Sequence, residues 1–272
     1  MQWVLAIPES WNRSTMRKLF STSFKEAGID DLIIESEPKV AALFCRYVLL
    51  REDAFHPGTK YVLLDFEGDN VDVIVRQVQQ DNTLRELLKT NGEAWRSTHV
   101  KEAFEQTTIK LVGKPSYLHF CEQNPADVAD MYREFRLKKK IFSGKGNTIS
   151  IKIPYSLHET FKKDTGNTVH WVLGQSALSG QMKWVGDKLR ISSNLFASFF
   201  DKATAILIGY LQKLLKEPEV VGSTMIVMVG EFSESRFIQR KVQEQFPNMH
   251  VLSPEEPTLS VLKGAVILGH LH

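Results

Sequence analysis

Hydrophobic and polar positions fall into blocks whose period changes along the chain. Trp3–Ile7 is a short apolar run dense enough for a buried strand. Met16, Leu19, Phe20 and Phe24 then recur at helical spacing, behind a cap at Asn12 or Ser14 and ahead of a stop at Gly28. Leu32–Ile34 predicts a second strand. Glu37-Pro38 opens a helix through Val40, Leu43, Phe44 and Tyr47, since proline is tolerated in a first turn. HPGTK marks a linker. Tyr61–Val73 reads as strand, tight turn and strand, its second arm continuing from Val75 to Val78, before a polar connection QQDNT.

A helix is predicted over Thr98–Leu111. Between Pro115 and about Ser192 the texture changes: a helix through Val128, Met131, Tyr132, Phe135 and Leu137, a basic stretch RLKKKIFSGKG, then strand-like TISIKIP and QMKWVGDKLRI. Regular order returns with a long helix from about Asn194 to Leu215, a buried strand Met225–Val229, a helix from Ser233, a strand His250–Leu252 and a final helix from Glu256. The fold class is α/β with an α+β insertion. No repeat or low-complexity segment interrupts it.

Composition narrows the partners. A chain of 272 residues with 43% hydrophobic content supports a large core in one or two domains. Its net charge of +2 gives no global field for nucleic acid or an anionic membrane. The basic stretch Arg136–Lys145 holds one aromatic, Phe142, so no nucleic-acid partner is expected. Apolar runs such as ATAILIGYL fall far short of the roughly 20 residues of a membrane span. Pro8, Glu9 and Ser10 interrupt the first apolar run too early for a signal peptide. Cys45 and Cys121, the only cysteines, are too few for a disulfide framework, which fits a reducing, cytoplasmic setting. With no HExxH pair and no G-x-S-x-G elbow, neither a metal site nor a hydrolase site is expected, and His270 and His272 at the chain end do not alter that.

Several segments, taken in order, resemble the ATPase domain of the seventy-kilodalton heat-shock chaperones, within the actin-like (ribonuclease H-like) fold. WVLAIPESWNRSTMRKLFSTSFKEAGI followed by LIIESEPKVAALF is similar to the family's strand, helix, strand and Glu-Pro helix. LLDFEGDNVDV stands where the family has Asp, three glycines, Thr and Asp around variable positions, and MIVMVGEFSESRFIQRKV where its adenosine loop has two glycines. VLSPEEPTLSVLKGAVILGH, GEFSES and the spacing of NGEAWRSTHV look most like the divergent twelfth branch. The resemblance implies two lobes around a cleft. Residues 1–55 would be the second half of the first lobe, and 56–272 the second lobe with an insertion at about 115–192. The chain would then be N-terminally truncated, leaving the Trp3–Ile7 edge as the patch for protein contacts, whether with a missing half, a second copy or in aggregation. The family's peptide-binding domain would also be absent. ATP or ADP with magnesium is the implied cofactor.

By the same resemblance, Asp65 takes the place that holds magnesium-bound water, Gly68 is the middle glycine and Asp72 closes the motif. Glu67 and Asp69 replace the flanking glycines, and Asn70 replaces Thr. Side chains there block close backbone approach. A carboxylate about 5 Å from a phosphate charge costs roughly 3 kcal/mol at an effective dielectric near 20. Two such penalties rival the ~8 kcal/mol behind a micromolar complex. The hairpin is thus expected to persist while its anion function is lost, unless a metal intervenes.

Gly230 is kept, but Glu231 and Phe232 follow it, and Glu234 falls near a family arginine. Phe232 faces a purine or packs on its own core; Ser233 is an N-cap candidate. Lys139 and Lys140 match two basic residues of the adenine-clamping helix, with Arg136 where a ribose-binding Glu is usual; the bland reading is a solvated helix end. Glu37 matches the family's catalytic-side glutamate or merely favours a helix N-terminus. The expected function is a nucleotide-binding-domain remnant that does not hydrolyse ATP and serves as a protein-interaction module. The alternative is an incomplete chain of a genuine ATP-binding member.

Overall fold

The computed structural model describes residues 2–8, 11, 14–49, 55–66, 70–81, 83–92, 95–146 and 148–271. In chain order the first elements are β1 (Trp3–Ile7), α1 (Ser14–Glu26), β2 (Leu32–Ser36), α2 (Glu37–Leu49), β3 (Lys60–Phe66), β4 (Asp72–Val78) and β5 (Leu84–Asn91). Next come α3 (Thr98–Val112), α4 (Lys114–Gln123), α5 (Pro125–Ile141), β6 (Thr148–Lys152), α6 (Tyr155–Thr165), α7 (Val169–Gln175), β7 (Met182–Val185), β8 (Lys188–Ser192) and α8 (Ser193–Ser198). The chain closes with α9 (Asp201–Leu214), β9 (Met225–Gly230), α10 (Arg236–Gln245), β10 (His250–Leu252) and α11 (Ser260–Leu271). They form two compact units: Met1–Ala94 with Gly209–Glu234 and Lys241–His272, and Trp95–Ile208 with Ser235–Arg240. Among the described residues no helix is long and apolar enough to cross a membrane.

The first unit is built on a mixed sheet in the order β10-β9-β3-β4-β5. β3 lies at its centre, antiparallel to β4 and parallel to β9, and every residue from Tyr61 to Phe66 is buried. Such a strand is a near-continuous apolar run because both faces are covered. Tyr61 and Leu63, with Ile74 and Val78 of β4, pack with Ala41, Ala42 and Cys45 of α2. β1 pairs in parallel with β2, Trp3 opposite Leu32 through Ile7 opposite Ser36, and α1 is the crossover that parallel neighbours need.

The second unit is helical with an antiparallel sheet β6-β8-β7. Its core is aromatic: Phe104 stacks on Phe135 at 4.3 Å, and Phe142 meets Phe196 at 4.8 Å and Phe237 at 5.1 Å. Phe142, the lone aromatic of the basic stretch, is therefore a core residue and cannot stack on a base.

Two predicted helices begin later than their sequence suggests, and a third is divided. The helix expected from Asn194 is two, α8 and α9, separated by tight i→i−3 bonds from Phe199 to Phe196 and Phe200 to Ala197, with Asp201 opening the new helix. Ser233 is not an N-cap: its Oγ donates to Gly230 O at 2.7 Å inside a 3₁₀ turn, Glu231–Glu234, and α10 starts at Arg236. Likewise Glu256, at φ 53°, precedes a 3₁₀ turn Pro257–Leu259, and α11 starts at Ser260.

α2 and α11 pack so closely that a Cβ on Gly264 would lie 2.0 Å from Val40 O. Alanine at 264 would gain about 1 kcal/mol of helix propensity. Overpacking costs about 1–3 kcal/mol, and here the obstacle is backbone that cannot swing aside. Gly264→Ala should therefore lower the urea midpoint. A second test concerns Glu35, which joins three elements: Arg17 donates to it at 3.3 Å, Ser36 N at 3.0 Å, and Lys39 makes a very short contact. Burial raises its pKa, but the Lys39 and Ser36 hydrogen bonds and the charges of Lys39 and Arg17 outweigh that, and the net shift is below the ordinary 4.5. A depressed carboxylate adds stability above its unfolded pKa that is lost as pH falls through the folded one. Wild type should thus lose more stability than Glu35→Gln as pH drops below 4.5 in a pH series of denaturation midpoints.

Candidate functional site

β3 and β9 end side by side, with Asp65 opposite Val229 and Phe66 opposite Gly230. In open α/β sheets ligands bind at the carboxyl ends of parallel strands. A cavity of about 310 Å³ occupies this place in the first unit. Its wall takes Asp65 and Phe66 from β3, Val229 and Gly230 from β9, Glu231 from the following turn, Glu37 and Ala41 from α2, and Pro257, Thr258, Ser260 and Val261 from the entry to α11. Distant stretches of sequence are gathered here, including the candidates Glu37, Asp65, Gly230 and Glu231.

Each wall residue has a local cause. Asp65 is buried, 5% exposed, and stands opposite Asp72 across β3–β4. Its negative charge reaches α2, where the Cys45 thiol is pushed up to about 12, first by burial and then by Asp65. Gly230 has φ +83°, and a Cβ there would sit 2.4 Å from Phe66 O, so only glycine lets β9 turn this tightly against β3. Thr258 Oγ1 donates to Glu234 Oε1 at 3.2 Å and Ser260 Oγ to Pro257 O at 2.7 Å, tying the two 3₁₀ turns together and committing both hydroxyls.

The remaining sequence candidates lie elsewhere. Phe232 is 3% exposed and packs on Phe66 with ring centroids 5.8 Å apart, in the core rather than on the cavity wall. Asn70 is exposed just before β4. Glu67, Gly68 and Asp69 lie outside the described residues. Lys139 and Lys140 occupy the last turn of α5 in the second unit, Lys139 half-buried and Lys140 exposed, with exposed Arg136 one turn earlier. Thr258 and Ser260 were not singled out by sequence, because ordinary residues at the mouth of a turn carry no motif.

Three carboxylates, Glu37, Asp65 and Glu231, line the cavity, and no Lys, Arg or His is among the described residues of its wall. Among the described residues no three of His, Cys, Asp or Glu converge closely enough to hold a metal ion. The charge pattern repels a bare polyphosphate. Over 99% of its length the chain aligns at 24% identity with heat shock 70 kDa protein 12B of Homo sapiens, and equally with heat shock 70 kDa protein 12A of Homo sapiens and Mus musculus. It is a divergent relative of the heat shock 70 kDa protein 12 family. The chain spans about half the length of the curated relatives it matches, 48% of each. No protein-family model matches it. The mixed α/β fold with its mixed sheet agrees with an actin-like ATPase fold for this heat-shock relative. The resemblance implies a magnesium nucleotide; the described wall offers carboxylates that a hard cation accepts and no side-chain cation toward a phosphate.

The glycine at this wall provides a direct test of the geometry. Gly230→Ala should destabilise by about 2–4 kcal/mol, from left-handed strain plus overlap with a rigid carbonyl. Chemical denaturation reads this, and a change under about 0.5 kcal/mol, the usual size of a neutral surface substitution, would contradict the close approach.

Proposed function

We propose that this heat-shock relative is a nucleotide-binding-domain-like module that keeps the ATPase architecture without hydrolysing ATP, and works through protein contacts. The observation that carries the reading is the cavity wall of Glu37, Asp65 and Glu231 with no opposing cation among the described residues. Glu67 and Asp69, where the family has glycines, point the same way. Support for protein contacts comes from the N-terminal elements. Trp3 is 45% exposed, Trp11 50% and Leu19 57%, and α1 has no buried residue. Among the described residues β1 pairs with β2 alone, so its other edge is free for a partner or a second copy.

Calorimetric titration with ATP and with ADP, each with and without Mg²⁺, should give no saturable heat up to about 100 μM. Micromolar binding by either nucleotide would overturn the proposal. A second reading, that the chain belongs to a longer ATP-binding protein, draws on Asp65, retained at the wall. It requires binding that appears only with Mg²⁺ and is abolished by Asp65→Asn.

A further inference from the structure

β4 carries an anomaly. Ile74 and Val78 point to the α2 face and belong to its hydrophobic cluster. Alternation puts Arg76, between them, on that same face. Its side chain is only 8% exposed. A guanidinium brings five N–H donors in a planar fork and cannot discharge, so burying it requires acceptors. Tyr61 stands opposite Arg76 across β3–β4 and its hydroxyl feels the Arg76 charge, but that neutral group leaves most of the five donors to be met. The nearest carboxylate, Glu86 Oε2 on β5, is 3.6 Å away, beyond hydrogen-bond reach, and is itself 48% exposed. The β4–β5 register slips between Val75 and Arg76. The extra residue is Leu87 of β5, so β4 keeps its alternation, and bulges of this kind cluster beside binding sites.

What Arg76 meets is a cavity of about 400 Å³, on the opposite side of α2 from the carboxylate-lined one. Val40 and Leu43 of α2, Leu84 of β5, and Leu268 and Leu271 of α11 form its apolar wall. Lys39, Arg46 and Arg76 are its cations and Glu35 and Glu86 its anions, and Glu35 is already engaged by Lys39 and Arg17. Volume and composition match a small-ligand site, mostly apolar with a few placed polar groups. We propose that this cavity binds a small amphiphilic monocarboxylate, its head group on Arg76 and its hydrocarbon against Val40, Leu43, Leu84 and Leu268. A carboxylate matches the guanidinium fork in two parallel hydrogen bonds. A dianion would meet Glu86 at close range and is disfavoured.

The alternative is that Arg76 and Glu86 form a structural cross-strand pair that needs no ligand. The two readings differ in sign for Glu86. The intact chain is titrated with sodium decanoate below its micelle concentration, and with decan-1-ol as the uncharged control. Decanoate should bind saturably, with decanol at least about tenfold weaker, the size of one charge-assisted contact. Arg76→Met should weaken decanoate about tenfold, whereas Glu86→Gln, which removes the competing carboxylate, should tighten it about threefold. Should Arg76→Met not fold, Glu86→Gln at its half-exposed position decides the matter. No saturable decanoate binding, equal binding of decanol, or no tightening in Glu86→Gln would each overturn the proposal.

Discussion

The seam between α2 and α11 sets the form of the first unit. Gly264 gives α11 no side chain at the point where it meets the Val40 carbonyl, so two backbones approach closer than any other residue would permit. From that contact follow the positions of both cavities. One side of the helix pair presents Glu37, Ala41, Ser260 and Val261; the other presents Val40, Leu43, Leu268 and Leu271. The sheet beneath supplies the chemistry: Asp65 and Gly230 at the strand ends, Arg76 within a row of aliphatic side chains. A frame of ordinary hydrophobic packing thus holds two pockets of opposite electrical character a few residues apart in sequence.

The carboxylate-lined pocket sits at the ends of parallel strands, where its charges oppose a bare polyphosphate. Glycine at 230 is demanded by the backbone, since the carbonyl of Phe66 occupies the space any side chain would need. Its retention says that β9 must turn there, and nothing about phosphate. Function argued from a glycine alone would mistake a constraint of chain path for a cradle. The acidic side chains around it decide the chemistry instead.

Elements were legible in the sequence where burial is two-sided or the period strict. β3 and β9 are unbroken apolar runs, and α2 carries Val40, Ala41, Phe44 and Cys45 at helical spacing. β5 escaped, because LRELLKTN mixes charge with leucine as a half-exposed strand at a sheet edge does. The short helices α4, α6 and α7 escaped for the related reason that tertiary packing, more than local propensity, holds such pieces. Glu256 and Ser233 look like helix starts, yet each leads into a 3₁₀ turn that the contact between Thr258 and Glu234 ties down. Asp65, Gly230 and Glu37, which stand in recognisable motifs, were legible as candidates, and the fold gathers them at one cavity. Arg76 was not, since a guanidinium in a strand becomes unusual only once its neighbours on the same face are known.

Cys45 sits fully inside the α2 face, its thiol far from any thiolate at neutral pH. Oxidants and alkylating agents act on thiolates that solvent can reach. The layer between α2 and the sheet is therefore shielded at its one thiol, and its packing there does not depend on the thiol's redox state.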